Sequence, residues 1–357
     1  MARLNDNPTP RPIQNGGYIV GPWFDHVFFI LTPLLFVAVA GVISALGIAN
    51  TWVTLGDPAA GGLEFQLFPT LVITFSMGHI VAVFFRSHLN RTIFKLHPVR
   101  FTVVPLTFLT VFLLWEEVWI VALFLIVWAD NYHSAMQTFG LGRIYDMRAG
   151  NAPQVGRRLD IGLALVIFIG PILSGLTFAD ALTRMERFDE VGLETLAAFP
   201  GWAVAHQSWI AIPVVALMLG YIAFYVASYV RLARQGYRVS YQKVALWVAL
   251  AVTSVLAWGF NSFGLSFLIM ESFHSLQYFA LVWWSERENV QGVFGLQGRP
   301  GGRWAALVLF LALCGAFGLW ASLFATTRFE LVLFSVCELM HYWYDGFIWS
   351  VRKKQVA

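Results

Sequence analysis

The residues best suited to chemistry are three acidic residues, each followed three positions later by a histidine. The pairs are Asp130 with His133, Glu271 with His274 and Glu338 with His341. At this spacing both side chains project from one face of a helix. Four-helix di-iron carboxylate proteins supply metal ligands through the same Glu-x-x-His spacing. All three pairs lie in apolar stretches, where ionisable groups are costly to insert and usually bind, relay or catalyse something. The spacing therefore indicates a metal site inside apolar helices.

The composition predicts the elements that must position these residues. Of the 357 residues, 58% are hydrophobic and 12% are charged, and the mean hydropathy is +0.68. These values are typical of a polytopic membrane protein rather than a soluble domain. We predict an all-α helix bundle with about ten transmembrane helices in a single integral membrane domain, residues 1–357. The approximate limits of the spans are Trp23–Ile48, Phe68–Phe85, Phe101–Trp115, Val118–Leu141, Ile161–Ala179, Trp209–Val230, Val244–Gly259, Leu265–Trp284, Trp304–Ala325 and Leu331–Val351.

The charges between the spans predict an orientation. The exits of the even-numbered spans are rich in Arg and Lys, whereas the opposite loops are mainly acidic. This asymmetry obeys the positive-inside rule for ten spans with the N- and C-termini in the cytoplasm. We therefore expect a multi-pass protein of the bacterial inner membrane. The net charge of +3 reflects this orientation, so we expect no nucleic-acid partner.

Four histidines share a depth in this predicted topology. His79, His133, His274 and His341 lie on even-numbered spans, on the order of 9–15 Å beneath the cytoplasmic boundary by the helical rise. Imidazole and carboxylate ligands suit iron, manganese or zinc, and the lack of thiolates argues against copper(I) and iron–sulfur clusters. The predicted metal ligands are His79, Asp130, His133, Glu271, His274, Glu338, His341 and Asp345.

The residues around these histidines resemble those of a known group of enzymes. The segments that carry the likeness are Gly78-His79, Asp130-Asn131-Tyr132-His133, Glu271-Ser272-Phe273-His274 and Glu338-Leu339-Met340-His341-Tyr342-Trp343-Tyr344-Asp345. The chain resembles the bacterial histidine-rich integral-membrane non-haem iron oxygenases, which include fatty-acid desaturases, alkane hydroxylases and carotene-cleaving enzymes of the Brp/Blh type. It has no H-x-x-H-H box, and its acid-then-histidine spacing is closer to that of soluble di-iron carboxylate bundles.

The resemblance implies an activity and its partners. It implies a non-haem oxygenase, desaturase or hydroxylase that holds iron, most simply two ions, and attacks a lipophilic substrate in the lipid membrane; zinc and manganese are alternative metals. Glu271, Glu338 and Tyr278 are the expected catalytic residues. Without a flavin or haem domain, the enzyme would need an external electron donor, such as a ferredoxin or reductase. Arg86, Arg143, Arg287 and Lys353 would form a basic docking surface on the cytoplasmic face; the alternative is that these charges only set the membrane orientation.

The main alternative is a proton- or ion-coupled transporter that uses the same intramembrane groups. Such proteins commonly show repeated halves and a site at the midplane. Here the acidic and histidine residues lie on one side of the midplane and no repeat is visible, which favours an enzyme.

Three nearby residues have two interpretations each. Asp25 and His26 lie at the start of the first span, and both are candidates to complete the coordination sphere of the metal. The alternative is that Asp25 only caps the helix and that His26 is not a ligand. His88 follows His79 by nine residues, so it faces inward only if the helix breaks after Arg86. We interpret His88 as a surface histidine.

Overall fold

The computed structural model describes residues 12–57 and 62–349, and it is about 80% helical. This confirms the prediction of a helical membrane bundle. Within residues 12–57 and 62–349, six helices are long and apolar enough to cross a membrane, or up to eight if each of two bent helix pairs is one span. The chain divides into two compact units, each built from three segments, and the predictions of ten spans and of a single domain stay predictions.

The first unit contains Met1–Val37, Asp130–Glu186 and Ala197–Ser266. Its short helix α1 (Pro22–Asp25) continues into a π-helical turn, His26–Ile30. A bend of 46° separates this turn from helix α2 (Thr32–Ala45), and a bend of 106° follows helix α7 (Arg157–Ser174). The helices that lie wholly or mainly in this unit, together with α2 and α6 that enter it in part, are α1 (Pro22–Asp25), α2 (Thr32–Ala45), α6 (Glu116–Arg148), α7 (Arg157–Ser174), α8 (Phe178–Leu182), α10 (Phe199–Ala205), α11 (Gln207–Arg234) and α12 (Tyr241–Ser254).

Close packing of α11 against α7 organises the first unit. A side chain at Gly162 would lie 2.0 Å from the Tyr221 hydroxyl, and one at Gly170 would lie 2.3 Å from the sulfur of Met218. Small residues at such positions let neighbouring membrane helices approach closely, because packing drives their association where lipid and side chains are equally apolar.

The second unit contains Ala38–Ala129, Arg187–Leu196 and Phe267–Ala357. It opens with an antiparallel hairpin of β1 (Trp52–Leu55) and β2 (Leu63–Gln66), in which Trp52 pairs with Gln66. Four of the described α-helices pass from one unit into the other: α2, α6, α9 (Glu194–Ala197) and α13 (Phe263–Val293). The helices that lie wholly in the second unit are α3 (Leu67–Arg86), α4 (Arg91–Leu96), α5 (Pro98–Leu114), α14 (Gly302–Leu323) and α15 (Arg328–Ile348).

Two glycines bring α3 and α14 into backbone contact. A Cβ at Gly318 would lie 1.9 Å from the carbonyl oxygen of Thr74, and one at Gly78 would lie 2.9 Å from that of Cys314. Thr74 and Gly78 are four residues apart, as are Cys314 and Gly318, so each helix presents a pair of small residues one turn apart. This packing fixes the position of α3, which carries His79.

Helices α5 and α15 explain part of the difference between the ten predicted spans and the six to eight found among the described residues. Helix α5 is apolar but has only 17 residues. Helix α15 has 21 residues and carries several charges, among them Glu338 and Asp345. Polar residues needed for a site lower the hydropathy of the helix that holds them, so α15 is a poor match to a simple apolar span.

Candidate metal centre

Three buried histidines meet inside the second unit. His79 comes from α3, His274 from α13 and His341 from α15, and one nitrogen of each ring lies within 4.8 Å of the other two. The ring centroid of His79 is 4.9 Å from that of His274 and 4.9 Å from that of His341. All three side chains are at most 1% exposed. Three of the four predicted histidine ligands therefore form one cluster with the size of a metal site.

The two ring nitrogens of His79 have different surroundings. Nδ1 lies 2.9 Å from the hydroxyl oxygen of Ser275. Nε2 is buried, and within the described parts of the chain it has no hydrogen-bond partner. A buried polar atom without a partner is costly, because it loses its hydrogen bonds to water. A ligand bound to Nε2 of His79 would therefore compensate a cost of folding.

Glu271 lies beside this cluster on α13, three residues before His274. The hydroxyl of Ser76 donates a hydrogen bond of 3.0 Å to its Oε2, and the residue is 5% exposed. Glu271 is not one of the three residues whose ligand atoms meet within 4.8 Å. Its roles as metal ligand and as catalytic residue stay predictions.

Tyr278 and Asp345 flank His341. The Tyr278 ring centroid is 4.7 Å from that of His341. The Tyr278 hydroxyl donates a hydrogen bond of 2.9 Å to Oδ1 of Asp345, and the indole N–H of Trp349 donates another of 2.9 Å to the same oxygen. The carboxylate is thus held by two donors one helical turn beyond His341. Metal ligation by Asp345 and catalysis by Tyr278 stay predictions.

The other predicted ligands are placed as follows. Glu338 is half-buried on α15, one turn before His341, and lies outside the three-histidine set. Asp130 and His133 lie on α6 in the part of that helix that belongs to the first unit, where His133 is buried and Asp130 is half-buried. Their ligand roles stay predictions.

Arg86 ends α3 in a buried ion pair rather than on a surface. Its guanidinium lies 2.5 Å from a carboxylate oxygen of Glu286 and donates to the carbonyl oxygen of Ile348. It also lies 3.9 Å from the ring centroid of Trp349. The prediction that Arg86 is a docking residue is therefore wrong, because a guanidinium that is only 4% exposed is not accessible to a partner. Arg287 is half-buried, and Lys353 lies outside the described residues.

Arg143 is also buried, in a cluster of charges in the first unit. Its NH1 lies 2.6 Å from Asp146 and 2.6 Å from Asp160, and the ammonium of Lys243 lies 2.8 Å from each of the same two carboxylates. Two cations and two anions thus alternate in a closed ring. The prediction of a docking role for Arg143 is wrong for the same reason as for Arg86.

Tyrosine hydroxyls complete this charge ring. Tyr225 and Tyr229 donate to Oδ1 of Asp160 at 2.9 and 2.7 Å, and Tyr237 donates to Oδ1 of Asp146. Tyr237 lies in the segment between α11 and α12, and burial raises the pKa of its hydroxyl well above the ordinary value, with Asp146 adding to the shift. The hydroxyl therefore stays protonated and remains a donor to Asp146.

Asp25 and His26, the two candidate ligands at the start of the first span, form hydrogen bonds with nearby backbone groups. Asp25 is fully buried and accepts from the backbone N–H groups of Ile19, Val20 and Gly21, so its carboxylate holds the segment that leads into α1. Asp25 does not cap this helix, because the N-cap position is Gly21. A ring nitrogen of His26 lies 2.7 Å from the carbonyl oxygen of Pro22. Helix α3 ends at Arg86, so His88 turns inward and is half-buried. The interpretation of His88 as a surface histidine is wrong.

Sequence reasoning missed Ser76 and Ser275, which contact Glu271 and His79. Both are small polar residues in apolar helices, and each lies within one turn of a predicted ligand: Ser76 three residues before His79, and Ser275 four after Glu271. That spacing was the available signal. It is weak, because serines in membrane helices commonly bond to their own backbone.

Comparison with known proteins adds nothing to this picture: no protein-family model, no curated protein and no solved structure matches the chain. The resemblance to non-haem iron oxygenases therefore stays an expectation, carried by the sequence motifs alone.

Proposed function

We propose that this chain is a membrane-embedded, metal-dependent oxidoreductase: a non-haem iron oxygenase, desaturase or hydroxylase that acts on a lipophilic substrate. The observation that carries the proposal is the meeting of His79, His274 and His341 from three helices, with ligand atoms within 4.8 Å of one another. Packing alone gives no reason to bury three imidazoles together in a membrane protein, where each ionisable group is expensive.

The donor set fits a metal ion. Imidazole nitrogens suit iron, zinc, copper(II) and nickel, and the buried Nε2 of His79 has no partner among the residues described. Three protein ligands leave coordination positions open, which is typical of catalytic rather than structural sites. Cys314 and Cys337 lie in α14 and α15 and belong to no group of metal-capable residues in the described chain. The choice of iron over zinc or manganese comes from the family resemblance.

A bound iron ion would supply the activation of dioxygen that oxygenases and desaturases need. His79, His274 and His341 would hold it, while the surrounding helices exclude water and confine the reaction. The side chains packed in this region of the second unit include Tyr278, Phe279 and Met340. Such apolar surroundings suit an alkyl or polyene chain, so we propose a lipophilic substrate drawn from the membrane.

The chain would depend on a partner for electrons. The described residues carry no C-x-x-C-H segment or Gly-rich phosphate loop in their sequence, so we propose that a ferredoxin or reductase docks on the cytoplasmic side. Because Arg86 and Arg143 are buried, the basic docking residues must be other ones. The exposed Arg231, Arg234 and Arg238 are suitable in charge and position.

The proposed topology has ten spans, cytoplasmic termini and a place in the bacterial inner membrane. It is supported by the basic loops that follow the even-numbered spans. Reporter fusions after Arg158 and after Glu194 test it. The first reporter should be active in the cytoplasm and the second outside. A cytoplasmic location for both would contradict ten spans.

The central experiment is metal analysis of the purified protein in detergent. We expect about one to two iron ions per chain, with zinc as a substitute during expression. His79→Ala, His274→Ala and His341→Ala should each lose metal, because each removes one of three ligands. His206→Ala, at an exposed position in the first unit, is the matched control and should keep it. A metal-free, folded protein that transports an ion or solute would support the transporter alternative and overturn the enzyme.

The carboxylates decide between one and two metal ions. Glu271→Gln and Glu338→Gln keep the side-chain size but remove the charge that neutralises a second cation. If two ions bind, both variants should lose part of the metal and nearly all turnover, and Asp130→Asn should show a smaller loss of each. Full metal content and full activity in both Glu variants would leave a single ion held by histidines.

A further inference from the structure

We propose that Ser275 and Ser76 are positioning residues of the metal centre. Ser275 orients His79 and Ser76 orients Glu271, so the two hydroxyls aim these side chains at the metal without touching it. The inference rests on the proposed function, since it requires that the three-histidine cluster binds a metal.

The contact between Ser275 and His79 selects one form of the imidazole. A neutral imidazole carries its proton on one nitrogen only. If the Nδ1–H of His79 donates to Ser275 Oγ across the 2.9 Å between them, Nε2 keeps its lone pair. If instead Ser275 donates to Nδ1, Nε2 bears a hydrogen and cannot bind a cation. A metal at the cluster therefore selects the first arrangement, in which the serine is the acceptor that fixes the tautomer.

The position of Nε2 agrees with this assignment. Nε2 is the nitrogen that is buried without a hydrogen-bond partner in the parts of the chain that the structure describes. The rings of His274 and His341 each lie 4.9 Å from that of His79, at nearly right angles to it. With Nδ1 occupied by Ser275, Nε2 is the remaining atom through which His79 can contribute to the site.

Ser76 performs the equivalent task for Glu271. Its hydroxyl donates to Oε2 at 3.0 Å, and Ser76 is 5% exposed. A hydrogen bond to a buried carboxylate is charge-assisted and therefore stronger and more directional than one between neutral groups. It therefore limits the movement of the Glu271 carboxylate, one helical turn before His274.

The two hydrogen bonds join the same pair of helices, with the positions of hydroxyl and ligand exchanged. Ser76 and His79 lie on α3, whereas Glu271 and Ser275 lie on α13. Each helix thus gives one potential metal ligand and one hydroxyl that holds the other helix's ligand. Loss of either serine should loosen one ligand while leaving the helices packed, because Ala fills nearly the same space.

Cobalt(II) binding to the full-length protein in detergent tests the inference without using turnover. Co²⁺ reports the geometry of its ligands through its visible absorption. We expect Ser275→Ala to weaken Co²⁺ binding about 10–100-fold, the usual effect of removing an outer partner of a ligand, and to change the absorption band. Ser76→Ala should weaken binding as well. Ser275→Thr keeps the hydroxyl and should restore the wild-type band.

Ser335→Ala is the matched control. Ser335 is also buried in the second unit and accepts a hydrogen bond of 3.1 Å from the indole N–H of Trp119, but it contacts none of the three histidines by any hydrogen bond described. It should bind Co²⁺ like the wild type. Equal affinity in the wild type, Ser275→Ala and Ser76→Ala would overturn the inference, and so would an equal loss in Ser335→Ala. A wild-type protein that binds no metal would overturn the proposed function itself.

Discussion

At the scale of single residues, the surroundings of each imidazole distinguish a ligand from a packed polar group. His79 and His88 are nine residues apart, and both lie in the second unit. Both ring nitrogens of His88 have partners, the Ser87 hydroxyl at 2.9 Å and the Phe101 carbonyl oxygen at 3.0 Å. Among the residues that the structure describes, only Nδ1 of His79 has such a partner. His88 therefore has a structural role, whereas Nε2 of His79 is available to bind a ligand.

The pH dependence of stability should reveal His88. Burial lowers its pKa below the ordinary value, and this outweighs the hydrogen bond to the Phe101 carbonyl, which raises it. The unfolded chain therefore binds a proton more readily than the folded one, so stability falls as pH drops below the unfolded pKa of about 6.5. We expect the Tm of the wild type to fall more between pH 8 and pH 5 than that of His88→Gln.

The comparison of Tm values isolates His88 because the other titratable groups are shared by both proteins. Circular dichroism in detergent at the two pH values is sufficient. The same fall in wild type and variant would show that the charge on His88 does not differ between the folded and unfolded states.

The sequence was sufficient to find the histidines but not their partners. His79, His274 and His341 could be predicted because ionisable residues at a common depth in apolar helices are rare and costly. Ser76 and Ser275 could not, since a serine in such a helix carries no charge and its usual partner is its own backbone. The inward turn of His88 depends on where α3 ends, and helix ends are poorly determined by hydropathy.

At the scale of elements, close helix packing places the site. Helix α3 reaches the cluster while its backbone touches that of α14 at Gly78 and Gly318. Sequence patterns predicted both spans but not this contact, because single glycines in apolar helices are common and only the paired spacing on both helices makes a contact surface. The position of His79 therefore depends on residues that have no chemistry of their own.

Gly318→Ala should separate α3 from α14. The new Cβ would lie 1.9 Å from the Thr74 carbonyl oxygen, so one backbone must move. Overpacking of this kind typically costs about 1–3 kcal/mol, and the shift of α3 should also weaken metal binding through His79. Thermal unfolding and metal titration in detergent measure the two effects.

Gly315→Ala is the control on the same helix, because a Cβ there meets nothing within 4 Å. It should leave Tm and metal affinity unchanged or slightly improve Tm, since Ala favours helix more than Gly. Two variants with the same Tm would contradict a role for Gly318 in the packing of α14 against α3.

The charge ring of the first unit joins the ends of four elements. Arg143 and Asp146 lie near the end of α6, Asp160 in the first turn of α7, and Lys243 in the first turn of α12; Tyr229 adds the end of α11. Apart from Arg143 and Asp146, which are three residues apart on α6, its members come from different helices, and each is typical of a topogenic or capping charge. Their pairing could not be predicted from the sequence, because it depends on how the helix ends meet.

Asp160→Asn should destabilise the protein strongly. Asp160 is fully buried and bonds to Arg143, Lys243, Tyr225 and Tyr229. Its removal leaves two buried cations with one carboxylate, and breaking a buried ion pair in this way typically costs about 3–5 kcal/mol. Chemical denaturation of the purified protein measures the loss.

Glu190→Gln provides the comparison for an exposed pair. Glu190 pairs with Arg187 at 2.8 Å, and both side chains are more than 40% exposed. Water screens such a pair, so we expect little or no change in stability. An equal change in stability for Asp160→Asn and Glu190→Gln would show that the charge ring does not stabilise the first unit.

At the scale of the whole molecule, composition predicted the class of protein and hydropathy predicted most of its helices. An apolar sequence with few charges predicts a helical membrane bundle, and the structure agrees with this prediction. The number of spans is harder to predict, because the short α5, the sharp bend after α7 and the charge-bearing α15 depart from a uniform apolar stretch of about 20 residues. The hairpin of β1 and β2 was not predicted, since two strands of four residues give little periodic signal.

Metal binding should stabilise the whole protein measurably if the three histidines form a site. A ligand that binds only the folded state stabilises it by about 2.7 kcal/mol at a concentration one hundred times its Kd. We therefore expect chelator-treated protein to melt at a lower temperature than protein with added iron(II) under anaerobic conditions. His341→Ala should melt at the same temperature with and without the metal, because it lacks one of three ligands, whereas His206→Ala should keep the full shift. A metal-dependent rise in Tm that survives in His341→Ala would place the stabilising metal elsewhere and remove the main support for a catalytic centre at His79, His274 and His341.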